Sequence, residues 1–158
     1  MTDERNWAFI EAAKAQAKGD ASLERFLIEA IKATDPDDLA RQKPEIVLAA
    51  LEASHRAIFA GSLSDTRILL TPPAKAGDAL VIDVISPDMP FIVDSTLAAL
   101  RAMGGAIRLF SHPVVRVNQG QITDNGGAAI SVLHIHSEPV ADPEALRAEI
   151  AETLAEVA

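Results

Sequence analysis

Apolar residues in the first third of the chain recur at helical spacing. Leu23, Phe26, Leu27, Ala30 and Ile31 stand at i, i+3, i+4, i+7 and i+8, one stripe along an α-helix. Asp20-Ala-Ser22 supplies capping residues ahead of it, and Thr34-Asp35-Pro36 stops it, with Pro36 placed to open a short following turn. Pro44 starts another helix at its first turn, where Ile46, Val47, Ala50, Leu51 and Ile58 keep the period until Gly61. A first helix, around Asp3 to Lys18, is alanine-rich and carries the only tryptophan, Trp7. Its stripe is weaker, which predicts docking on a neighbour or fraying.

From about residue 64 the period changes. Residues 66–71 form a short strand closed by Pro72-Pro73 and a polar loop, and residues 79–85 are a near-continuous apolar run, the pattern of a strand inside a sheet. Val93, Thr96, Leu97, Leu100 and Met103 mark one face of a helix ending at Gly104-Gly105. Residues 106–117 are extended, with Pro113 marking a bulge or an edge. Asn118-Gln-Gly120 and Asn125-Gly126 are turns, and 129–137 is another strand. Asp142-Pro143 caps a last helix carrying Leu146, Ile150, Leu154 and Val157.

The order from 79 onward is β-α-β-β-α, which fits a split βαβ, ferredoxin-like sandwich whose last strand has not appeared. The expected fold class is α+β: a helical segment over 1–62, then the sandwich with an antiparallel sheet over 64–158. The last helix reaches Ala158 without a C-cap, which predicts a piece truncated before its final strand. Strand 79–85 would then have an unpaired edge, costly for so apolar a strand. A hairpin through 72–78 lets 66–71 occupy that edge.

Composition narrows the class. The net charge is −9, so an overall basic footprint for nucleic acid or an anionic membrane is absent. There is no cysteine, which excludes disulfides, thiolate metal sites and cysteine nucleophiles. The acidic start MTDERNWAF lacks a signal-peptide pattern, and no apolar run approaches the roughly 20 residues of a bilayer span. The expectation is a soluble, intracellular protein, placed in the cytoplasm.

Two motifs are distinctive. Asp88-Met89-Pro90-Phe91 with Val93-Asp94-Ser95 is followed, one helix later, by His112-Pro113-Val114 and Arg116. This pattern resembles the N-terminal region of the large bacterial NAD-dependent glutamate dehydrogenases, over roughly residues 45–157. The resemblance implies an N-terminal fragment of a much longer enzyme, an ACT-like regulatory domain with the dehydrogenase core downstream. It also implies no catalytic residue, cofactor site or metal in this stretch, with NAD used by the parent enzyme. The residues agree, since no Gly-x-Gly-x-x-Gly turn opens a βαβ unit.

Each candidate has two readings. In ACT domains the turn matching Asp88, Met89, Pro90 and Phe91 meets an effector amino acid's carboxylate through helix N-terminal N–H groups. Phe91 stands where those domains often have glycine. The plainer reading makes Asp88 an N-cap, Pro90 a first-turn residue and Phe91 a core anchor. Asp94 falls in the first helical turn, where the dipole favours a carboxylate. Asp83, inside the apolar strand, must lie at a sheet edge or pair with a cation such as Arg108. His134 and His136 share one sheet face, and with His112 they offer a thin case for zinc against half-exposed strand histidines. His112 and Arg116 face one way and suit contact with another domain or subunit.

The leading expectation is a noncatalytic regulatory or assembly domain whose partners are other domains or subunits of the same oligomeric enzyme. A free-standing amino-acid sensor and a small metal-dependent enzyme using the histidines are the other readings.

Overall fold

The computed structural model describes residues 6–157, and among these four helices precede the sheet. Helix α1 spans Trp7–Ala17, α2 Ala21–Lys32, α3 Pro36–Ala40 and α4 Pro44–Phe59. The proposed start of the first helix at Asp3 lies outside the described residues, as do the Val157 side chain and the chain end at Ala158. Asp20 caps α2 by accepting from the Leu23 N–H at 3.1 Å, and Asp35 caps α3 from Asp37 at 2.8 Å. Beyond α4, the Arg67 guanidinium donates to the Ala57 and Ile58 carbonyls, a cation on the negative end of the helix.

The sheet holds β1 (Arg67–Thr71), β2 (Leu80–Pro87), β3 (Ile107–Ser111), β4 (Val114–Asn118), β5 (Gln121–Thr123) and β6 (Ala128–Ser137). Helix α5 (Ile92–Ala102) joins β2 to β3, and α6 (Pro143–Val157) follows β6. Strand order is β1-β2-β6-β4-β5, with β3 also on β6 and every pairing antiparallel. The hairpin expected through 72–78 is present: Arg67 pairs with Ile85 and Thr71 with Val81, so β1 covers the edge of β2.

Residues 106–117 form two strands rather than one. β3 pairs with Ser137 to His134 and β4 with Ser131 to Ala128, so they lie end to end along β6. Pro113 sits in the break, lacking the N–H that would continue the ladder, while its carbonyl accepts from Val132 at 3.0 Å. The short strand β5, between the two expected turns, was not foreseen.

The two faces of the sheet explain the unbroken apolar run of β2. Leu80, Ile82 and Val84 pack with Leu133 and Ile135 against Leu100 of α5 and Leu146, Ile150 and Leu154 of α6. Ile85, Ile130 and Val132 belong instead to a core with α2 and α4, through Phe26, Leu27, Leu48, Leu51 and Ile58, and with Phe9 and Ile10 of α1. The molecule is a three-layer sandwich in which the N-terminal helices share a core with the sheet.

Candidate functional site

Two places gather chemistry, one on each face of the sheet. The first is the turn between β2 and α5. The β2–β6 ladder continues to Asp88, whose N–H bonds the Ala129 carbonyl at 3.1 Å. Phe91 then takes a left-handed conformation, φ 71° and ψ 0°, and Ile92 opens the helix. A non-glycine residue there carries about 1–2 kcal/mol of strain. The chain reversal sends Phe91 outward, 61% exposed, and sends Ile92 inward, 1% exposed. The plainer sequence reading is therefore corrected: Ile92 is the anchor, Phe91 occupies the N-cap position, and Asp88 and Pro90 precede the helix.

No side chain caps α5, so its first N–H groups have no side-chain acceptor. Over this helix end lies a cavity of about 230 Å³ lined by residues 89–94 and His112. His112 reaches it from the β3–β4 break and is fixed by a 2.7 Å hydrogen bond between Nε2 and Ser131 Oγ. Burial lowers its pKa, opposed by the nearby Asp88 carboxylate. On the same face of the sheet the Ser86 and Thr96 hydroxyls are buried without a hydrogen-bond partner among the described residues. Such orphaned groups are uncommon and call for a bound water or ligand. Asp94 sits exposed in the first turn of α5.

The second place is a buried polar chain on the α4 side. Asp83 Oδ1 accepts from the Ser54 hydroxyl at 2.8 Å and from His134 Nδ1 at 2.7 Å. With Nδ1 donating to Asp83, His134 presents Nε2 to His136 Nε2, 2.8 Å away. Burial, reinforced by His134, drives the His136 pKa down to about 3, so its ring is neutral at pH 7.

A family model described as "Glutamate dehydrogenase, ACT1 domain" matches residues 26–154. The chain belongs to this glutamate dehydrogenase ACT1-domain family. Comparison with curated proteins returns no match. The ACT1 match begins inside α2 and includes both places just described.

Within the ACT1 domain the two sequence motifs partly converge. The break at Pro113 carries His112 to the 88–94 turn, whereas Arg116 lies farther along β4. Its guanidinium bonds the Gly127 carbonyl at 3.2 Å and lines a separate cleft with Arg25 and Asp124. His112 is on the α5 face, opposite His134 and His136, which removes it from any shared metal site. Those two are 0% and 2% exposed, not half-exposed. Among the described residues no group of three or more His, Asp or Glu is disposed to hold a metal ion. Asp83 is neither at an edge nor paired with Arg108, because β1 and β6 flank its strand and Arg108 pairs with Glu138 at 2.7 Å. Its partners are Ser54 and His134.

Ser54 was missed because it reads as an ordinary helix serine. The usable signal was its place on the apolar side of α4, three residues after Leu51 and four before Ile58. Asp83, Ser54 and His134 do not form a nucleophile relay. The Ser54 hydroxyl sits 3.1 Å from Nδ1, the nitrogen Asp83 already holds, and the far nitrogen is taken by His136. The chain instead ties α4 to β2 and β6.

Phe91→Gly is expected to raise stability by up to about 1 kcal/mol, because relief of left-handed strain exceeds the added freedom of the unfolded chain. Urea unfolding checks this; a loss of stability would show that Phe91 makes contacts worth more than the strain.

Proposed function

We propose that the chain is a noncatalytic regulatory domain of an NAD-dependent glutamate dehydrogenase, the full-length enzyme deaminating glutamate oxidatively to 2-oxoglutarate. On this reading the 88–94 turn receives an amino-acid effector. The observation that carries it is the uncapped start of α5 facing a cavity of about 230 Å³ lined by residues 89–94 and His112. Helix N–H groups suit a carboxylate, and His112 stands opposite as a polar contact. The His112–Arg116 strand, with Val114 46% exposed between them, is the surface offered to other domains or subunits of a homo-oligomer. No cofactor is assigned to this stretch; NAD belongs to the parent's catalytic core. A cytoplasmic location fits, and among the described residues no helix is long and apolar enough to cross a membrane.

Calorimetric titration with a panel of amino acids tests the effector reading. One of them is expected to bind, and His112→Ala to weaken it in a chain that circular dichroism shows still folded. If none binds, the turn is not an effector site. In the parent enzyme, Arg116→Ala is expected to alter subunit assembly or the response to effector; unchanged sedimentation and kinetics would remove the interface role.

A further inference from the structure

At the opposite end of β2, and on the opposite face, a cavity of about 600 Å³ opens between the start of α4 and the β1–β2 loop. That volume lies within the usual range of small-molecule sites. Arg41 and Lys43 reach it from the approach to α4, Lys75 from the β1–β2 loop and Arg108 from β3. Asp78 is the one carboxylate among the residues that line it.

Four cations around one cavity are unexpected in a chain of net charge −9. Arg41 and Arg108 are held by Asp38 and Glu138, which fixes their planar heads. Lys43 and Lys75 have neither an ion pair nor a side-chain hydrogen bond among the described residues. Lys43 also occupies the N-cap position of α4, whose first turn no side chain caps, so the positive helix end adds to the field.

Part of the wall is apolar. Ala50 and Val81 line it, Ile46 is 51% exposed at it, and the buried His136 adds a polar atom set among them. A site of this kind holds the carbon portion of a ligand while the cations take its charges.

We propose that this cavity binds a small molecule bearing at least two negative charges and an apolar portion, a dicarboxylate or a phosphate ester. Each of the two unpartnered lysines calls for a negative charge, and a monoanion would leave one of them unmatched. The two lysines supply point charges that either group accepts, while the arginines, already engaged by Asp38 and Glu138, add to the positive field around them. The site is separate from the 88–94 turn and does not depend on the effector reading given there.

Calorimetry on the 158-residue chain at low salt tests it with phenyl phosphate and glutarate as probes. At least one is expected to bind with Kd below about 1 mM, and Lys43→Gln/Lys75→Gln to weaken it about tenfold or more. Both lysines are exposed, so the double variant should keep its melting midpoint. Asp78→Asn is expected to tighten binding. Binding of only one probe identifies which anion the site prefers. No binding of either at about 10 mM, or equal binding by the double variant, overturns the proposal. An amino acid bound at the 88–94 turn should remain bound when phenyl phosphate is added, so the two sites succeed or fail separately.

Discussion

Asp83→Ala is expected to destabilise the domain by about 1–3 kcal/mol, a sizeable part of the 5–15 kcal/mol that holds a typical domain together. The carboxylate is 6% exposed and accepts hydrogen bonds from Ser54 and His134, which are themselves 1% and 0% exposed. Alanine would remove the acceptor the two donors share, leaving Ser54 its 3.2 Å bond to the Ala50 carbonyl and His134 Nδ1 only the 3.1 Å contact with Ser54, and losing a partner costs more than the bond contributes. It would also release the His134 tautomer, and with it the 2.8 Å contact to His136. Asp83→Asn should cost less, because its amide oxygen can still accept from Nδ1. Removing both ends together, as Asp83→Val/His134→Leu, should cost less than the sum of the single changes, since neither member of the pair is then stranded by loss of the other. Urea unfolding of the natural chain, these three variants and the single changes Asp83→Val and His134→Leu decides it. A loss below about 1 kcal/mol for Asp83→Ala would mean that water replaces the carboxylate and that the chain is not sealed.

Much of the fold was legible because it follows local periodicity. The stripe of α2, its Asp20 cap and the stop at Asp35-Pro36 all fall where spacing and turn chemistry put them. The placement of β1 came from a different argument, the expense of leaving so apolar a strand as β2 unpaired, and the Arg67–Ile85 register answers it. What covers the second face of the sheet was not legible. The unbroken apolar run of β2 says that both faces are buried, yet nothing local says that α1, α2 and α4 do the covering. That gap hid the buried polar chain, because Ser54 meets Asp83 only once α4 lies across β2. Phe91 failed for a related reason. A large apolar residue ahead of a helix reads as an anchor, and only its φ of 71° shows that the chain turns it outward. The convergence of His112 on the 88–94 turn likewise depends on the break at Pro113, which sequence showed as a bulge without its direction.

Acid should unfold this domain earlier than its carboxylates alone would require. The His136 pKa falls from 6.5 to about 3 in the folded chain, with burial the main cause and the neighbouring His134 the next. A folded value below the unfolded one means that the neutral ring is favoured by folding. Its contribution is therefore complete above pH 6.5 and is lost as pH falls from 6.5 towards 3, because the unfolded chain takes up the proton first. The slope is about 1 kcal/mol per pH unit, which accumulates to about 3 kcal/mol by pH 4. His55 and His112 are also lowered by burial and act in the same direction, less strongly because both are partly exposed. Denaturation midpoints at pH 7, 6, 5 and 4 should fall steadily for the natural chain. His136→Gln keeps an amide beside His134 but cannot titrate, so its midpoints should fall more shallowly even if it begins less stable. Parallel curves for the two proteins would show that His136 is protonated in the folded state, with the Asp83–His134 pair accommodating its charge.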